Sequence, residues 1–408
     1  MRILILSPYY YPESVGAGIW LRQLATDLAG HGHQVTMFTA FPNYPSGKIF
    51  AGYRGKLYQR EVIDGVKVIR TWIYASTNKG FWRRILNYGS FAASSLISGI
   101  LEGQRYDVIY TVLPPLPLGV TARFLATVKR ARLVLNVQDI FPHLAVVAGV
   151  LKNQFVIRFF EAMERWIYHR AEHLVVISDG FRENLVGKGV IRRKVTVVPN
   201  WADPEAIKEA DKENSFRQEL QVDSRFTLIY SGSLSHNSSV ESMVDAADVL
   251  RGEPFAFVVV GEGALKPKLE QLAAERNLTN LQFRPFQPLE RYPEVLAAAD
   301  MNLVTLSSQA AFASVPSKIF KQMAAGRPVL ALTIKGNELD RLVQEARCGL
   351  CVPPDDPQAL VAALHWAADH PQELARMGRS GRQYLEKYHS REQCIGQIEA
   401  ILKKVVEV

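Results

Sequence analysis

Residues 1–30 read MRILILSPYYYPESVGAGIWLRQLATDLAG. Ile3–Ser7 is an apolar run of strand length, Pro8–Gly18 an irregular loop, and Ile19–Gly30 has helical spacing. A strand with no polar face belongs in a parallel sheet covered by helices on both sides. The unit then repeats. Apolar runs follow at Gln34–Thr39, Val66–Thr71, Val108–Val112, Leu133–Val137, Leu174–Ser178 and Val195–Val198, with helical segments between several of them. After residue 200 the rhythm restarts, with strands predicted at Phe226–Ser231, Phe255–Val260, Leu281–Phe283, Met301–Leu306 and Val329–Leu332. Helices are predicted near Val240–Leu250, Pro267–Arg276 and Ser317–Ala325. Two such series predict an α/β protein of two doubly wound, parallel-sheet domains, Rossmann-like in pattern. Ligands of such sheets bind at the carboxyl ends of the strands, so a cleft between two facing domains is the expected site.

The junction is expected at Val198-Pro199-Asn200-Trp201-Ala202-Asp203-Pro204, a stiff connector, giving domains 1–198 and 199–389. A last helix near Arg391–Val405 has no strand after it and is expected to cover a sheet face or cross back to the first domain.

Composition sets the outer bounds. The chain has 408 residues, 48% hydrophobic and 22% charged, which suits two large globular domains and excludes disorder or coiled coil as whole-chain descriptions. No uncharged apolar run approaches the length of a membrane-spanning helix, and Met1 leads straight into the first strand without a cleavage pattern. A cytoplasmic protein is expected. Three cysteines make no disulfide framework; Cys348 and Cys351 lack the partners of a zinc site and read as a turn leading into a strand.

Charge is uneven. Residues 1–200 carry 25 Lys and Arg against 12 Asp and Glu, a net +13, while residues 201–408 carry 23 against 28, a net −5. A basic half seeks a polyanion, either nucleic acid or an anionic membrane surface. The aromatics favour the membrane. Segment 80–101 opens Gly-Phe-Trp-Arg-Arg and continues apolar, and segment 151–172 mixes Phe155, Phe159, Phe160, Trp166 and Tyr168 with Lys152, Arg158, Arg165 and Arg170. Rings at headgroup depth with cations beside them are what an interfacial helix needs, although two core helices with solvated basic faces would read the same way. No nucleic-acid-binding module is recognisable.

Four motifs carry chemistry. Gly16 and Gly18 leave room for an anion near a helix start. Val315-Pro316-Ser317-Lys318 leads into a helix that reaches Lys321 and closes at Gly326. Pro316 suits the first turn and Gly326 the cap, so Lys318 sits where the helix dipole disfavours a cation. That placement makes sense if an anion such as a diphosphate binds there. Gly261-Glu262-Gly263 reads as a tight strand-to-helix turn, and Asp139, in Asn136-Val-Gln-Asp-Ile-Phe-Pro-His143, could act as a base or orient a sugar hydroxyl. Loop, cap and solvated-lysine readings stand beside each of these, and His143 reads as structural.

The order of glycine loop, Asp-x-x-Pro, Pro-Asn-x-x-Asp, Gly-x-Gly, Pro-Ser-Lys and Ala-Gly-x-Pro-Val resembles the family-4 glycosyltransferases of the GT-B fold, in their bacterial surface-polysaccharide branch. The resemblance covers essentially the whole chain. It implies two Rossmann-like domains facing across a cleft, and a retaining transfer from a nucleoside-diphosphate-sugar, here a UDP-sugar, with no metal or organic cofactor. It also implies a polyprenyl-diphosphate-linked saccharide acceptor, no nucleic-acid partner, and a place on the inner face of the plasma membrane. Carried over, Gly16, Gly18, Pro316, Ser317 and Lys318 would meet the donor diphosphate, with Gly232, Ser233, Gly261 and Glu262 on the donor side. Pro285 and Phe286 would meet the nucleobase, and Asp139 the reacting sugars.

The chain departs from the family at two places. Where the wider family carries two glutamates seven residues apart, this sequence has Ala313 and Lys321. The Arg and Lys that usually follow the first strand of the second domain are absent from Gly232–Ser238. Lys321 would then supply positive charge one turn below Lys318. Ala313 and Lys321 also fit an idle GT-B protein partnering another transferase at the membrane, and a nucleotide-sugar epimerase on the same fold stands as a further alternative.

Overall fold

The computed structural model describes residues 1–13, 17–44, 46–77, 80–147, 149–222, 224–234, 239–305 and 316–407. They form two compact units, Met1–Pro199 with Ile395–Val408, and Asn200–Cys394.

The first unit holds strands β1 (Arg2–Leu6), β2 (Gln34–Ala40), β3 (Tyr58–Ile63), β4 (Val66–Thr71), β5 (Val108–Leu113), β6 (Arg132–Val137), β7 (His173–Val176) and β8 (Val195–Val197). Its helices are α1 (Ala17–Gly30), α2 (Phe81–Leu101), α3 (Leu116–Lys129), α4 (His143–Val147), α5 (Gln154–Arg170) and α6 (Asp179–Gly187). The strands lie in the order β3-β4-β2-β1-β5-β6-β7-β8, parallel except for β3. Ile3, Leu4, Ile5 and Leu6 are all buried because helices cover both faces, which is why the run shows no alternation. Cutting any one of them to alanine would cost about 2–5 kcal/mol.

β3 is a correction to the all-parallel expectation. It pairs antiparallel with β4 through Asp64-Gly65, whose φ angles of 50° and 79° make a two-residue hairpin turn. β3 is half exposed at the sheet edge, so its pattern of Tyr58, Arg60 and Val62 outward lacks the continuous apolar run that marked the other strands.

The second unit holds β9 (Phe226–Ser231), β10 (Phe255–Val260), β11 (Leu281–Arg284), β12 (Met301–Thr305), β13 (Val329–Leu332) and β14 (Gly349–Val352), all parallel, in the order β11-β10-β9-β12-β13-β14. Its helices are α7 (Ser215–Leu220), α8 (Glu241–Val249), α9 (Lys266–Glu275), α10 (Tyr292–Ala297), α11 (Lys318–Ala324), α12 (Glu338–Ala346), α13 (Pro357–Asp369) and α14 (Pro371–Tyr388). Strand alternation sends Leu228 and Tyr230 into the core on one face of the sheet and Ile229 into the core on the other. Cys348 is buried at the turn into β14, and all three cysteines are free thiols.

A last helix, α15 (Arg391–Glu407), begins in the second unit and ends in the first. Its Glu399 accepts from His31 Nδ1 at 2.7 Å and His33 Nε2 at 2.9 Å, and pairs with Lys403 at 2.6 Å. Burial alone would raise the Glu399 carboxyl; these three donors instead hold it at about 2. Among the described residues no helix is long and apolar enough to cross a membrane, and no cluster of metal-ligating side chains occurs.

Candidate active site

Both sheets reverse winding direction once: between β1 and β5 in the first unit, and between β9 and β12 in the second. Loops diverge at such a point and leave a crevice at the carboxyl ends of the strands. The predicted site residues that fall within the described chain lie in the loops there, or in the helix that follows.

In the second unit the centre is Lys318, the first residue of α11. Its ammonium donates to the Tyr230 hydroxyl at 2.9 Å and lies over the same ring, 4.2 Å from its centroid. Tyr230 in turn donates to the Ser233 carbonyl at 2.8 Å. One phenol therefore ties Lys318 to the turn after β9. Lys321, one helical turn on, sits 5.3 Å over the ring of Tyr292. Burial pulls Lys318 down to about 8 and lowers Lys321 as well, and no charged group among the described residues offsets either shift. Two partly buried ammoniums on one short helix, with no carboxylate beside them among the described residues, can hold an anion.

The turns after β9 and β10 interlock backbone to backbone. Gly232 donates to the Val260 carbonyl at 2.9 Å, and Leu234 to the Glu262 carbonyl at 3.0 Å. A side chain at Gly261 would strike the Gly232 carbonyl, so glycine is required by close approach, not by a dinucleotide fingerprint. Glu262 faces solvent and pairs with Lys266 at 2.8 Å. Pro285 and Phe286 follow β11, with Phe286 half exposed.

The expectation for the helix start needs correction. Pro316 and Ser317 precede α11 and do not form its first turn; the Pro316 carbonyl accepts from Ile319 at 3.2 Å. With only seven residues in the helix, the positive potential here comes chiefly from the two ammoniums, not from a long helix dipole.

In the first unit Gly18 stands in the first turn of α1, where the Glu13 carbonyl fills the place a β-carbon would take. Asp139 follows β6, and burial raises its carboxyl to about 7 with no opposing cation among the described residues. Beside it Gln138 donates to Asn136 at 2.8 Å, and Asn136 to the Tyr110 hydroxyl, a network that stiffens the strand end. His143 opens α4 at the surface, lowered first by burial and then by Lys188. Gly16, Ala313 and residues 235–238 lie outside the described residues.

Residues 15–201 match the glycosyl transferase 4-like domain, and residues 211–384 match the glycosyl transferases group 1. The putative colanic acid biosynthesis glycosyl transferase WcaI of Escherichia coli K12 is 31% identical over 97% of this chain and 98% of its own. The chain belongs to glycosyltransferase family 4. The probable glycosyltransferase WbjE of Pseudomonas aeruginosa is 29% identical to this transferase over 71% of the chain and 72% of WbjE. The fold is GT-B. Sucrose-phosphate synthase from Thermosynechococcus elongatus superposes with a TM-score of 0.78 at 19% identity, covering 99% and 98% of the two chains. HepE from Anabaena, crystallised with UDP, superposes at 0.73 with 16% identity, covering 99% of this chain and all of the other.

Three residues of the transferase's two strand-end regions gave no signal in the sequence. Tyr230 reads there as one more core residue of a strand. Glu13, almost wholly buried, accepts from the backbone of Asn43 and Tyr44 at 2.8 Å each, while its Oε2 has no partner among the described residues. Arg70, fully buried, donates to the Tyr11 carbonyl at 2.5 Å and pairs with Glu61. Together Glu13 and Arg70 tie Tyr11 and Glu13 to the chain around Asn43 and to β4. The Asn43 and Tyr44 amides that Glu13 holds and the Tyr11 carbonyl that Arg70 holds are 30 to 59 residues away in the chain, beyond the reach of any local pattern, whereas Glu61 lies nine residues from Arg70 across the β3–β4 hairpin.

Proposed function

We propose that this transferase moves a sugar from a nucleoside-diphosphate-sugar, a UDP-sugar, to a lipid-linked saccharide in the synthesis of an exopolysaccharide or O-antigen, with retention at the anomeric carbon. The observation that carries the donor reading is the Lys318 ammonium at the end of β9 with Lys321 one helical turn on, neither offset by a charged group among the described residues. The UDP-bound HepE structures and the name of WcaI support the nucleotide and the pathway class.

In this mechanism the bond from the anomeric carbon to the diphosphate oxygen breaks as a bond to the acceptor oxygen forms on the same face. The acceptor proton passes to the departing diphosphate. Negative charge grows on that diphosphate, and Lys318 and Lys321 stabilise it where water is largely excluded. Because these two cations neutralise the leaving group, a bound divalent ion is not required, and activity is expected to survive EDTA. Asp139 orients a sugar hydroxyl as a carboxylate acceptor.

The test is thermal shift with UDP, GDP, ADP and dTDP. A ligand at about 100 times its dissociation constant stabilises by about 2.7 kcal/mol, a shift of several degrees. UDP alone is expected to give it. No response to any of the four overturns the donor reading. Proton NMR of the product, showing the same anomeric configuration as the donor, checks retention.

A further inference from the structure

Helices α2, α3 and α5 lie side by side over one face of the first sheet, with α3 packed against both of its neighbours. Each turns large apolar side chains to solvent. On α5, Phe155 is 83% and Phe159 is 59% exposed, with Trp166 on the same face. The spacing of 155, 159, 162 and 166 is that of one helical stripe. Arg158, Arg165 and Arg170 flank the stripe, and Arg170 lies 5.8 Å over the Trp166 ring. On α3 the outward residues are Phe124 and Val128, one turn apart. On α2 they include Trp82 and Leu86 at one end and Ile97 and Leu101 at the other.

Charge decides what covers this face. The three helices carry seven Lys and Arg against two Glu. One of those, Glu164, is buried and neutralised by Lys188 at 2.8 Å, leaving Glu161 as the exposed acid. A second copy of the chain would bring the same cations against these. A nucleic acid would satisfy the arginines but leave Leu86, Ile97 and Leu101 against a polar backbone. An anionic bilayer meets both demands, with lipid phosphates for the guanidinium groups and the headgroup–acyl boundary for the rings and aliphatic chains.

We infer that the α2–α3–α5 face seats the transferase on an anionic lipid bilayer, with α5 as the main contact. The inference rests on the reading that the acceptor is lipid-linked, and it names the surface that meets the lipid.

The test is co-sedimentation of the full chain with vesicles of phosphatidylcholine alone and of phosphatidylcholine with 30 mol% phosphatidylglycerol. Wild type is expected to bind the anionic vesicles and to lose binding as salt is raised. Arg158→Gln/Arg165→Gln/Arg170→Gln and Phe155→Ser/Phe159→Ser are each expected to lower partitioning at least tenfold, while Arg376→Gln/Arg379→Gln on α14 does not. Wild type that ignores anionic vesicles, or variants that bind as wild type does, overturn the inference. Should a variant fail to fold, wild-type tryptophan quenching by vesicles with brominated chains reads the same contact. Trp82→Phe/Trp166→Phe, a conservative change, is expected to remove most of that quenching, and undiminished quenching overturns the inference. The UDP thermal shift is read separately. A UDP response without vesicle binding sinks this face alone, and vesicle binding without a UDP response leaves it standing while the donor reading falls.

Discussion

The Lys318 ammonium occupies the space in which a side chain at Gly232 would begin. The glycine after β9 and the lysine after β12 are thus one steric unit, joined further by the phenol of Tyr230. Gly232→Ala should push the ammonium out of the strand end and strain the local backbone, whose φ of 155° an L side chain rarely adopts. UDP affinity by calorimetry is expected to fall at least tenfold, with the melting temperature lowered by only a few degrees.

Lys318→Ala is expected to lower kcat by roughly 10²-fold or more, the usual loss when one donor to a developing oxyanion is removed. Turnover within a factor of three of wild type would show that the ammonium does not act on the leaving group. Tyr230→Phe keeps the ring and loses the hydroxyl. It should weaken UDP binding by about tenfold, since one charge-assisted hydrogen bond is worth about 1.5–3 kcal/mol and the ring contact survives.

The pH profile should be bell-shaped and narrow. Asp139 must be ionised to accept a hydrogen bond, and burial raises it to about 7, so kcat/KM is expected to fall below that pH. Lys318 must be charged, and burial lowers it to about 8, so kcat/KM should fall again above that pH. Asp139→Asn removes the acid limb at a lower plateau. Lys318→Arg keeps the charge at all accessible pH and removes the alkaline limb. A profile flat from pH 6 to 9 would contradict both roles.

The Glu399 clamp makes a separate prediction about stability. Its carboxyl titrates at about 2 in the folded protein against 4.5 ordinarily, so between those values the unfolded chain binds the extra proton. The contribution is whole above pH 4.5 and is lost as pH falls through 2. Discounted for screening at the exposed His31 and Lys403, it amounts to roughly 1 kcal/mol. Glu399→Gln should lower the melting temperature by a few degrees at pH 7, and the difference from wild type should shrink towards pH 2.

Much of this fold was legible because parallel strands buried on both faces write themselves as apolar runs, such as Ile3–Leu6 and Val258–Val260. The strand that escaped, β3, is an edge strand with one wet face, although Asp64-Gly65 marks its hairpin plainly. Helix ends were legible to within a residue or two, α11 included, which opens at Lys318 with Ser317 as its cap residue and Pro316 outside it. Glycine motifs gave the right loops but not the reason, which is close backbone approach at Gly261 and a displaced ammonium at Gly232. Tyr230, Glu13 and Arg70 meet Lys318, the Asn43–Tyr44 backbone and the Tyr11 carbonyl only in the folded chain, so no spacing rule points to those contacts.

The return of α15 to the first unit has a consequence for the order in which the protein is made. The strands of that unit leave the ribosome first, but the carboxylate that receives His31 and His33 is not synthesised until all of Asn200–Cys394 has followed. The nascent first domain therefore waits, with that face uncovered, while its neighbour is translated. A chimera that exchanges the first domain must accordingly carry two segments of chain, one from each side of the second.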